Sequence, residues 1–363
     1  MEELKAQVDS LSLSPEIQEK LDRLLSIGEE CITKEELANL LVKKPNFIAY
    51  DGFEPSGRMH IAQGILKAVN VNKITESGGT FVFWVADWFA MLNKKMDGDL
   101  EKIQTVGKYM IEVWKAVGMN MDRVVFKWAS QEILSRPGDY MATLLDIATK
   151  NSLARVTRCS QIMGRAETDD LTAAQIIYPC MQATDIFFLK ADICQLGMDQ
   201  RKVNMLAREY CDAIKRRNKP IILSHPMLMG LKEGQAKMSK SDPDSAIFME
   251  DSEADVNLKI KKAYCPPGVV EANPVLDYLK HIIFARMGEF TVERSERDGG
   301  LIKYASYPEL EADYVNGTLH PGDLKPAVAK AINQLIEPVR QHFLNDPVAK
   351  DLLKRVKSFK TTR

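Results

Sequence analysis

Two lysines, Lys237 and Lys240, stand three positions apart in Ala236-Lys237-Met238-Ser239-Lys240-Ser241, flanked by Gly234, Asp242 and Pro243. A stretch of that composition does not pack as a core element, yet it presents two ammonium groups and two hydroxyls together. Hydrogen bonds from lysine to phosphate oxygens are charge-assisted and strong, so the set suits a mobile lid closing over a polyphosphate. By itself, this spacing is more often a solvated basic turn. A second segment, far upstream, calls for the same ligand.

That segment runs from Tyr50 through Asp51-Gly52-Phe53-Glu54-Pro55-Ser56-Gly57-Arg58-Met59-His60 to Ile61-Ala62-Gln63-Gly64. Phe47-Ile48-Ala49-Tyr50 reads as a short buried strand bounded by Pro45-Asn46 and Gly52. A Pro/Ser/Gly turn follows, then apolar spacing through Ile61, Ile65, Leu66 and Val69 predicts a helix. His60 therefore falls at the first turn of a helix that follows a strand, where free amides and the helix dipole favour an anion. A single histidine there is more often a cap or a packing residue. The glycine spacing is not that of a dinucleotide fold, because G-x-G-x-x-G is absent.

A third segment, Ala174 to Phe187, places Tyr178, Gln182 and Asp185 at i, i+4 and i+7, on one face of a helix. Ile177, Met181, Phe188 and Leu189 surround them with apolar side chains. An ordinary solvated face is the plainer reading, but flanks this apolar favour a polar pocket against a buried helix. Tyr50, at a strand's end, is placed to meet Asp185. An accepting carboxylate and a phenol that donates or accepts are what recognition of a phenolic hydroxyl requires.

Taken together, these pieces resemble the paired signatures of class I aminoacyl-tRNA synthetases. Lys237-Met238-Ser239-Lys240-Ser241 matches the second signature throughout, and His60-Ile61-Ala62-Gln63 is a variant of the first, usually His-Ile-Gly-His. Gln63 stands where the second histidine is usual and donates hydrogen bonds without charge. The chain is similar to tyrosyl-tRNA synthetases of the archaeal and eukaryotic cytoplasmic type from about Phe47 to about residue 345. Gly197 to Lys202, Cys265 to Glu271 and His320 to Lys325 extend the match.

The resemblance implies roles residue by residue. Tyr50 and Asp185 are expected at the substrate phenol, with Asp87, Tyr178, Gln182 and Gln200 around its ammonium. Glu54, Ser56, Gly57, His60, Gln63, Gly197, Asp199 and the run Lys237, Met238, Ser239, Lys240 and Ser241 are expected at ATP. Of these, His60, Lys237 and Lys240 are the catalytic candidates, with Mg²⁺ on the pyrophosphate and no metal site in the protein. Arg155 and Arg158 are expected at the acceptor end of tRNA, and His320 and Asp323 at the anticodon; Asp323 as an ordinary helix cap competes with that role. Ile282 aligns with an aromatic that stacks on an anticodon base in archaeal relatives.

The implied function is tyrosine–tRNA ligase, forming tyrosyl-adenylate from L-tyrosine and ATP and passing tyrosine to tRNA-Tyr. Catalysis would come from positioning and charge stabilisation without a protein nucleophile. Two alternatives compete: a tryptophanyl-tRNA synthetase, whose indole does not call for the Tyr50/Asp185 pair, and a catalytically inactive tRNA-binding paralogue, to which Gln63 points.

The elements that must position these groups follow from the hydrophobic pattern. Short apolar runs at 47–51, 80–86, 122–127, 190–196 and 220–224 alternate with helices, which predicts a Rossmann-like doubly wound parallel sheet. Asp87, after Phe81 to Ala86, and Asp199 then lie at carboxyl ends of strands, where such sheets bind ligands. Residues 1–44 read as a helical N-terminal extension, with starts at Ser14-Pro15-Glu16 and Thr33-Lys34-Glu35-Glu36. The catalytic domain is expected over 45–250, with a helical connective insertion at about 130–175 that the resemblance links to a homodimer interface. From 251 to 363 the pattern turns wholly helical, an all-helical C-terminal domain to which the resemblance assigns anticodon binding.

Composition agrees. The 363 residues are 45% hydrophobic and 27% charged, in the range of a globular protein with a sizeable core. A net charge of −1 places any tRNA contact on local basic patches rather than on overall charge. The six cysteines form no C-x-x-C pair, which fits reduced thiols in a cytoplasmic protein without zinc. Met1-Glu2-Glu3-Leu4-Lys5 has no targeting character, and no apolar run approaches the ~20 residues of a membrane span.

Overall fold

The computed structural model describes residues 13–164, 170–238 and 242–359, which form two compact units. Unit one comprises residues up to Pro55, Asn70–Leu100 and Asn120–Pro226. Its centre is a six-stranded sheet of β1 (Glu30–Ile32), β2 (Ile48–Phe53), β3 (Thr80–Val85), β4 (Val124–Trp128), β5 (Ile193–Cys194) and β6 (Ile221–Ser224). The order is β1-β6-β5-β2-β3-β4, parallel throughout except for β1 against β6. From β2 the chain runs outward through β3 and β4, then returns to β5 and β6 on the other side. The boundary between β2 and β5 is therefore the topological switch point, the place where such sheets bind ligands. Covered strands need no polar alternation, and β3 is buried from Phe81 to Val85.

Strand β5 is shorter than the 190–196 run predicts. Asp192 takes over the edge: its carboxylate accepts from the Ile48 amide at 2.7 Å and from Lys44 at 2.6 Å. Strand β1 is too short for its alternation to be legible in the sequence. It covers the outer edge of β6, which would otherwise offer unpaired backbone groups.

The predicted insertion is helical, with helices at Ala129–Ser135, Pro137–Thr149 and Leu153–Thr157. Two helix starts are where the sequence placed them, and a third is set by a cap that the sequence reading did not single out. Ser14 and Thr33 cap the helices Pro15–Leu25 and Lys34–Lys43, and Thr172 with Gln175 forms a capping box for Ala173–Phe188. Pro179 sits inside that last helix, removing one backbone donor.

Unit two comprises Ser56–Val69, Glu101–Met119 and the chain from Met227 onward. It is built on the helices Leu100–Ala116, Glu253–Lys262, Tyr307–Val315, Pro321–Asn345 and Pro347–Ser358. The wholly helical expectation for residues 251–363 needs one correction, a hairpin of β7 (Phe290–Val292) and β8 (Ile302–Tyr304). Phe290, Val292 and Tyr304 point inward while Thr291 and Lys303 point out, a two-residue period over strands too short to stand out.

Asp277, on the short helix Pro274–Tyr278 of this unit, gives a pH prediction. Its carboxylate accepts from the Met229 amide at 2.9 Å, and burial pushes its pKa up to about 6, with Lys280 opposing. A raised carboxyl stabilises the fold fully below its ordinary value near 3.8 and loses that contribution as pH rises through about 6. At about 1.4 kcal/mol per pH unit the loss is about 3 kcal/mol. Asp277→Asn keeps an acceptor but does not titrate. Relative to the wild type it should therefore gain about 2–3 kcal/mol between about pH 4 and pH 7 in urea unfolding. A flat difference would show that Asp277 stays charged.

Candidate active site

The residues expected at a phenol meet inside unit one. Tyr50 lies on β2, bracketed by β3 and β5, and is fully buried. Its hydroxyl is also buried and has no hydrogen-bond partner among the described residues. Asp185, on the Ala173–Phe188 helix, is 1% exposed and accepts from the Tyr140 hydroxyl at 2.8 Å. Tyr140 also reaches the Met181 carbonyl at 3.2 Å. Burial pushes the Asp185 carboxyl well above the usual carboxylate range, and the Tyr140 hydroxyl works against that shift. The Trp84 indole also favours the charged carboxylate, although Nε1 makes no well-formed hydrogen bond. Burial, and after it neighbouring charges that include Asp185, hold the Tyr50 and Tyr140 phenols well above their ordinary values. The result is a buried cluster with one acceptor carboxylate and one phenol whose hydroxyl has no partner among the described residues, a costly arrangement unless a ligand completes it.

One turn earlier on the same helix face, Tyr178 donates to Glu54 at 2.7 Å, and Gln182 donates to Gln200 at 3.0 Å. Gln200 in turn donates to the Ile162 carbonyl at 3.1 Å, which fixes the amide's orientation. The i, i+4, i+7 face is thus turned into the protein rather than to solvent, with all three residues buried. Glu54 is held by Tyr178 and by the Asn93 amide at 3.0 Å, and a carboxylate so placed anchors the helix face.

Asp87 has protein partners of its own. It is fully buried, and its carboxylate accepts from the Trp88 amide at 2.9 Å, the Ser130 amide at 3.0 Å and the Ser130 hydroxyl at 2.6 Å. Donors at the start of the Ala129–Ser135 helix supply the partner expected from a substrate ammonium. Asp87 therefore ties β3's end to that helix and bears on a ligand by position. Beyond β5, Gly197 is buried and bridges to His225, whereas Asp199 is exposed on a single turn, Met198–Gln200.

Unit two holds the polyphosphate candidates. His60 pairs with Phe248 in an isolated antiparallel bridge, and its Nδ1 accepts from the Gln63 amide at 3.4 Å. It lies two residues before the turn Ala62–Leu66 that leads into the helix Lys67–Glu76. Gly57, with φ +132°, makes the preceding turn, a conformation that side chains rarely adopt. Gly64 is required for closeness: a Cβ there would lie 2.3 Å from Met249 Sδ. The Gln63 side-chain oxygen is buried without a partner among the described residues, and the Gln63 backbone carbonyl accepts from Trp114 Nε1 at 2.8 Å.

The lysine loop is closed at its neck. Lys232 donates to both Asp242 oxygens at 2.8 and 2.7 Å, and the Leu231 amide donates to the Ser245 carbonyl at 2.9 Å. Lys237 is exposed and Met238 is buried; Ser239, Lys240 and Ser241 lie outside the described residues.

The tRNA candidates divide. Arg158 is exposed, but Arg155 is held by Glu209 at 2.8 and 3.0 Å and by the Lys202 carbonyl at 3.2 Å. His320, not Asp323, is the cap of the Pro321–Asn345 helix, with Nδ1 accepting from the Gly322 amide at 3.0 Å; Asp323 occupies the first turn. Ile282 is fully buried, so it does not stand in for an exposed aromatic.

Tyr140 is the pocket residue that sequence reasoning missed. A lone tyrosine in an apolar helix carries no signal until the helix is docked against Asp185. Glu250 and Asp251, which hold Arg58, were equally silent.

Comparison with known proteins places this geometry. The family model described as tRNA synthetases class I (W and Y) matches residues 43–337. The cytoplasmic tyrosine–tRNA ligase 1 of Arabidopsis thaliana is 61% identical over 355 residues, covering 98% of this chain and 92% of that protein. Leishmania major tyrosyl-tRNA synthetase in complex with tyrosinol superposes with a TM-score of 0.90 at 55% identity over 95% of this chain. This chain spans about half, 52%, of that longer one. Tyrosyl-tRNA synthetase from Pyrococcus horikoshii, complexed with L-tyrosine, gives 0.87 at 36% identity, covering 93% of this chain and 99% of the other. With a family model over most of its length and so near a full-length relative, the chain belongs to the class I tRNA synthetases for tryptophan and tyrosine, on the tyrosyl branch.

Proposed function

We propose that this protein is a tyrosine–tRNA ligase, which joins L-tyrosine to ATP as tyrosyl-adenylate and then to the 3′ end of tRNA-Tyr. The observation that carries the reading is the Tyr50 hydroxyl, without a partner among the described residues, beside the buried Asp185 carboxylate. A substrate phenol would accept from the first and donate to the second, satisfying both. An indole offers no hydroxyl to that pair, which sets the tryptophan alternative aside. The relatives' names, tyrosine–tRNA ligase and cytoplasmic, support both the activity and a cytoplasmic location.

In the first step tyrosine's carboxylate attacks the α-phosphorus of ATP, with pyrophosphate leaving. The terminal ribose hydroxyl of tRNA then attacks the adenylate carbonyl, and AMP leaves. Tyr178, Gln182 and Gln200 are proposed for the substrate ammonium, and Asp87 for holding their surroundings in place. Gly197 and Asp199 are proposed for the adenosine. Ser56, Gly57, His60, Gln63 and the loop from Lys237 through Met238, Ser239, Lys240 and Ser241 are proposed for the phosphates, where positioned donors stabilise developing charge. The Gln63 amide can present its donor edge after a simple rotation, so it replaces the signature histidine's hydrogen bond without its charge. Mg²⁺ would neutralise charge on the phosphates while held by the triphosphate.

The helical region from 251 onward is proposed as the anticodon-binding domain, with His320 and Asp323 at its reading edge and Arg158 at the acceptor end. A homodimer is proposed through the insertion, where Leu134, Met141, Leu145 and Leu153 are 65, 46, 56 and 66% exposed.

The test is amino-acid-dependent exchange of pyrophosphate into ATP without tRNA, with tyrosine, tryptophan and phenylalanine in parallel. Exchange with tyrosine alone is expected. Exchange with tryptophan would overturn the Tyr50/Asp185 assignment, and silence with all three would point to an inactive paralogue.

A further inference from the structure

We infer that Arg58, Glu250 and Asp251 are positioning residues that hold His60 and the lysine loop on one frame. This rests on the activation chemistry proposed for His60 and Lys237.

The backbone supplies the first observation. Met59 to Ile61 runs against Ile247 to Met249, with Ile61 N donating to the Ile247 carbonyl and Met249 N to the Met59 carbonyl, both at 2.9 Å. His60 and Phe248 face each other at the centre of this bridge. The same short segment begins where the lysine loop ends. Ser245 donates through N and Oγ to the Asp242 carbonyl at 2.9 and 2.7 Å, so little slack separates the loop's neck from Phe248.

The second observation is charge. Arg58 Nε pairs with Glu250, and Arg58 Nη2 lies 2.7 Å from Asp251 Oδ1; the two carboxylate side chains are only 2% and 4% exposed. Tyr109 donates to Glu250 at 2.8 Å and accepts from the Met59 amide at 3.2 Å, closing a ring around the residue before His60. Asp251 Oδ2 accepts from the Phe248 amide at 2.9 Å and from Lys259 at 2.6 Å. The Arg58 guanidinium lies 4.1 Å from the Phe248 ring centroid and the Lys259 ammonium 5.0 Å from it.

Burying such a set is a poor route to stability, because desolvation offsets most of the attraction and apolar replacements of similar volume often do as well. What ion pairs supply that apolar contacts do not is a fixed register. Register is what a transition state demands here, since a misplacement of about 1 Å can cost about 10²-fold in rate.

The experiment compares Arg58→Met/Glu250→Met, Arg58→Lys and the wild type. Single-turnover adenylate formation, tyrosine dissociation constant and thermal midpoint are measured on the full chain. Removing both charges avoids leaving one buried and unpaired, so the double variant is expected to fold. We expect its adenylate formation to fall about 10²-fold with tyrosine binding within about twofold, and Arg58→Lys, which reaches one carboxylate, to fall about tenfold. Combining the double variant with Lys237→Ala should lose less than the product of the separate losses, because both act through one loop. Adenylate formation within about threefold of the wild type would overturn the inference, as would parallel losses of rate, tyrosine binding and melting temperature. A wild type without tyrosine-dependent exchange would overturn the functional reading itself, and is seen without any variant.

Discussion

Asp185→Ala is expected to lower kcat/KM for tyrosine by about 10²- to 10⁴-fold and to remove most discrimination against phenylalanine. A hydrogen bond to a charged acceptor is worth about 1.5–3 kcal/mol, and stranding the substrate's hydroxyl in a dry pocket costs about 1–3 kcal/mol more. Phenylalanine has no hydroxyl to strand, so its activation should change little or improve. The fold should tolerate the change: the substitution removes a carboxylate that burial already penalises, and Tyr140 retains the Met181 carbonyl as acceptor. Tyr50→Phe is the milder companion. It should weaken tyrosine about tenfold while leaving the melting temperature unchanged or higher, because the lost hydroxyl has no partner among the described residues. Steady-state kinetics with both amino acids and a thermal melt decide the matter. A tyrosine-to-phenylalanine ratio that Asp185→Ala leaves intact would place phenol recognition elsewhere.

Lys237→Ala is expected to slow adenylate formation by about 10²- to 10³-fold, the usual loss when one positioned donor to a developing oxyanion is removed. Tyrosine binding should stay within twofold, since the phenol and ammonium groups proposed for it belong to another part of the chain. Lys237 is exposed, so no core contact is lost and the melting temperature should hold. Lys237→Arg should recover only part of the rate, because a planar fork does not reproduce a compact ammonium. Single-turnover kinetics read the first effect and tyrosine titration the second. Equal losses in both would mean that the loop serves binding rather than the transition state.

Much of the site was legible because its signals are local. Lys237 to Ser241 and His60 to Gln63 are short peptides, and Tyr178, Gln182 and Asp185 share a helix face whatever the helix packs against. Capping chemistry at Ser14, Thr33 and Thr172 is equally local and set the helix starts. Strands β2, β3 and β6 are apolar runs that belong to a covered parallel sheet. The β7–β8 hairpin and β1 escaped, since a period of two cannot declare itself in three residues.

By itself, then, the sequence determined the fold class through its hydrophobic period and the family through the resemblance of contiguous peptides, and it nominated the side chains proposed for the chemistry. Tertiary structure alone decided the partners. Asp185 meets Tyr140 across a helix pair, Asp87 meets Ser130, and Arg155 is engaged by Glu209. Arg58 finds Glu250 and Asp251 nearly two hundred residues along the chain, with sequence separations of 192 and 193. A buried charge must be paired, but which group pairs it is set by how elements dock, and no local pattern encodes that choice.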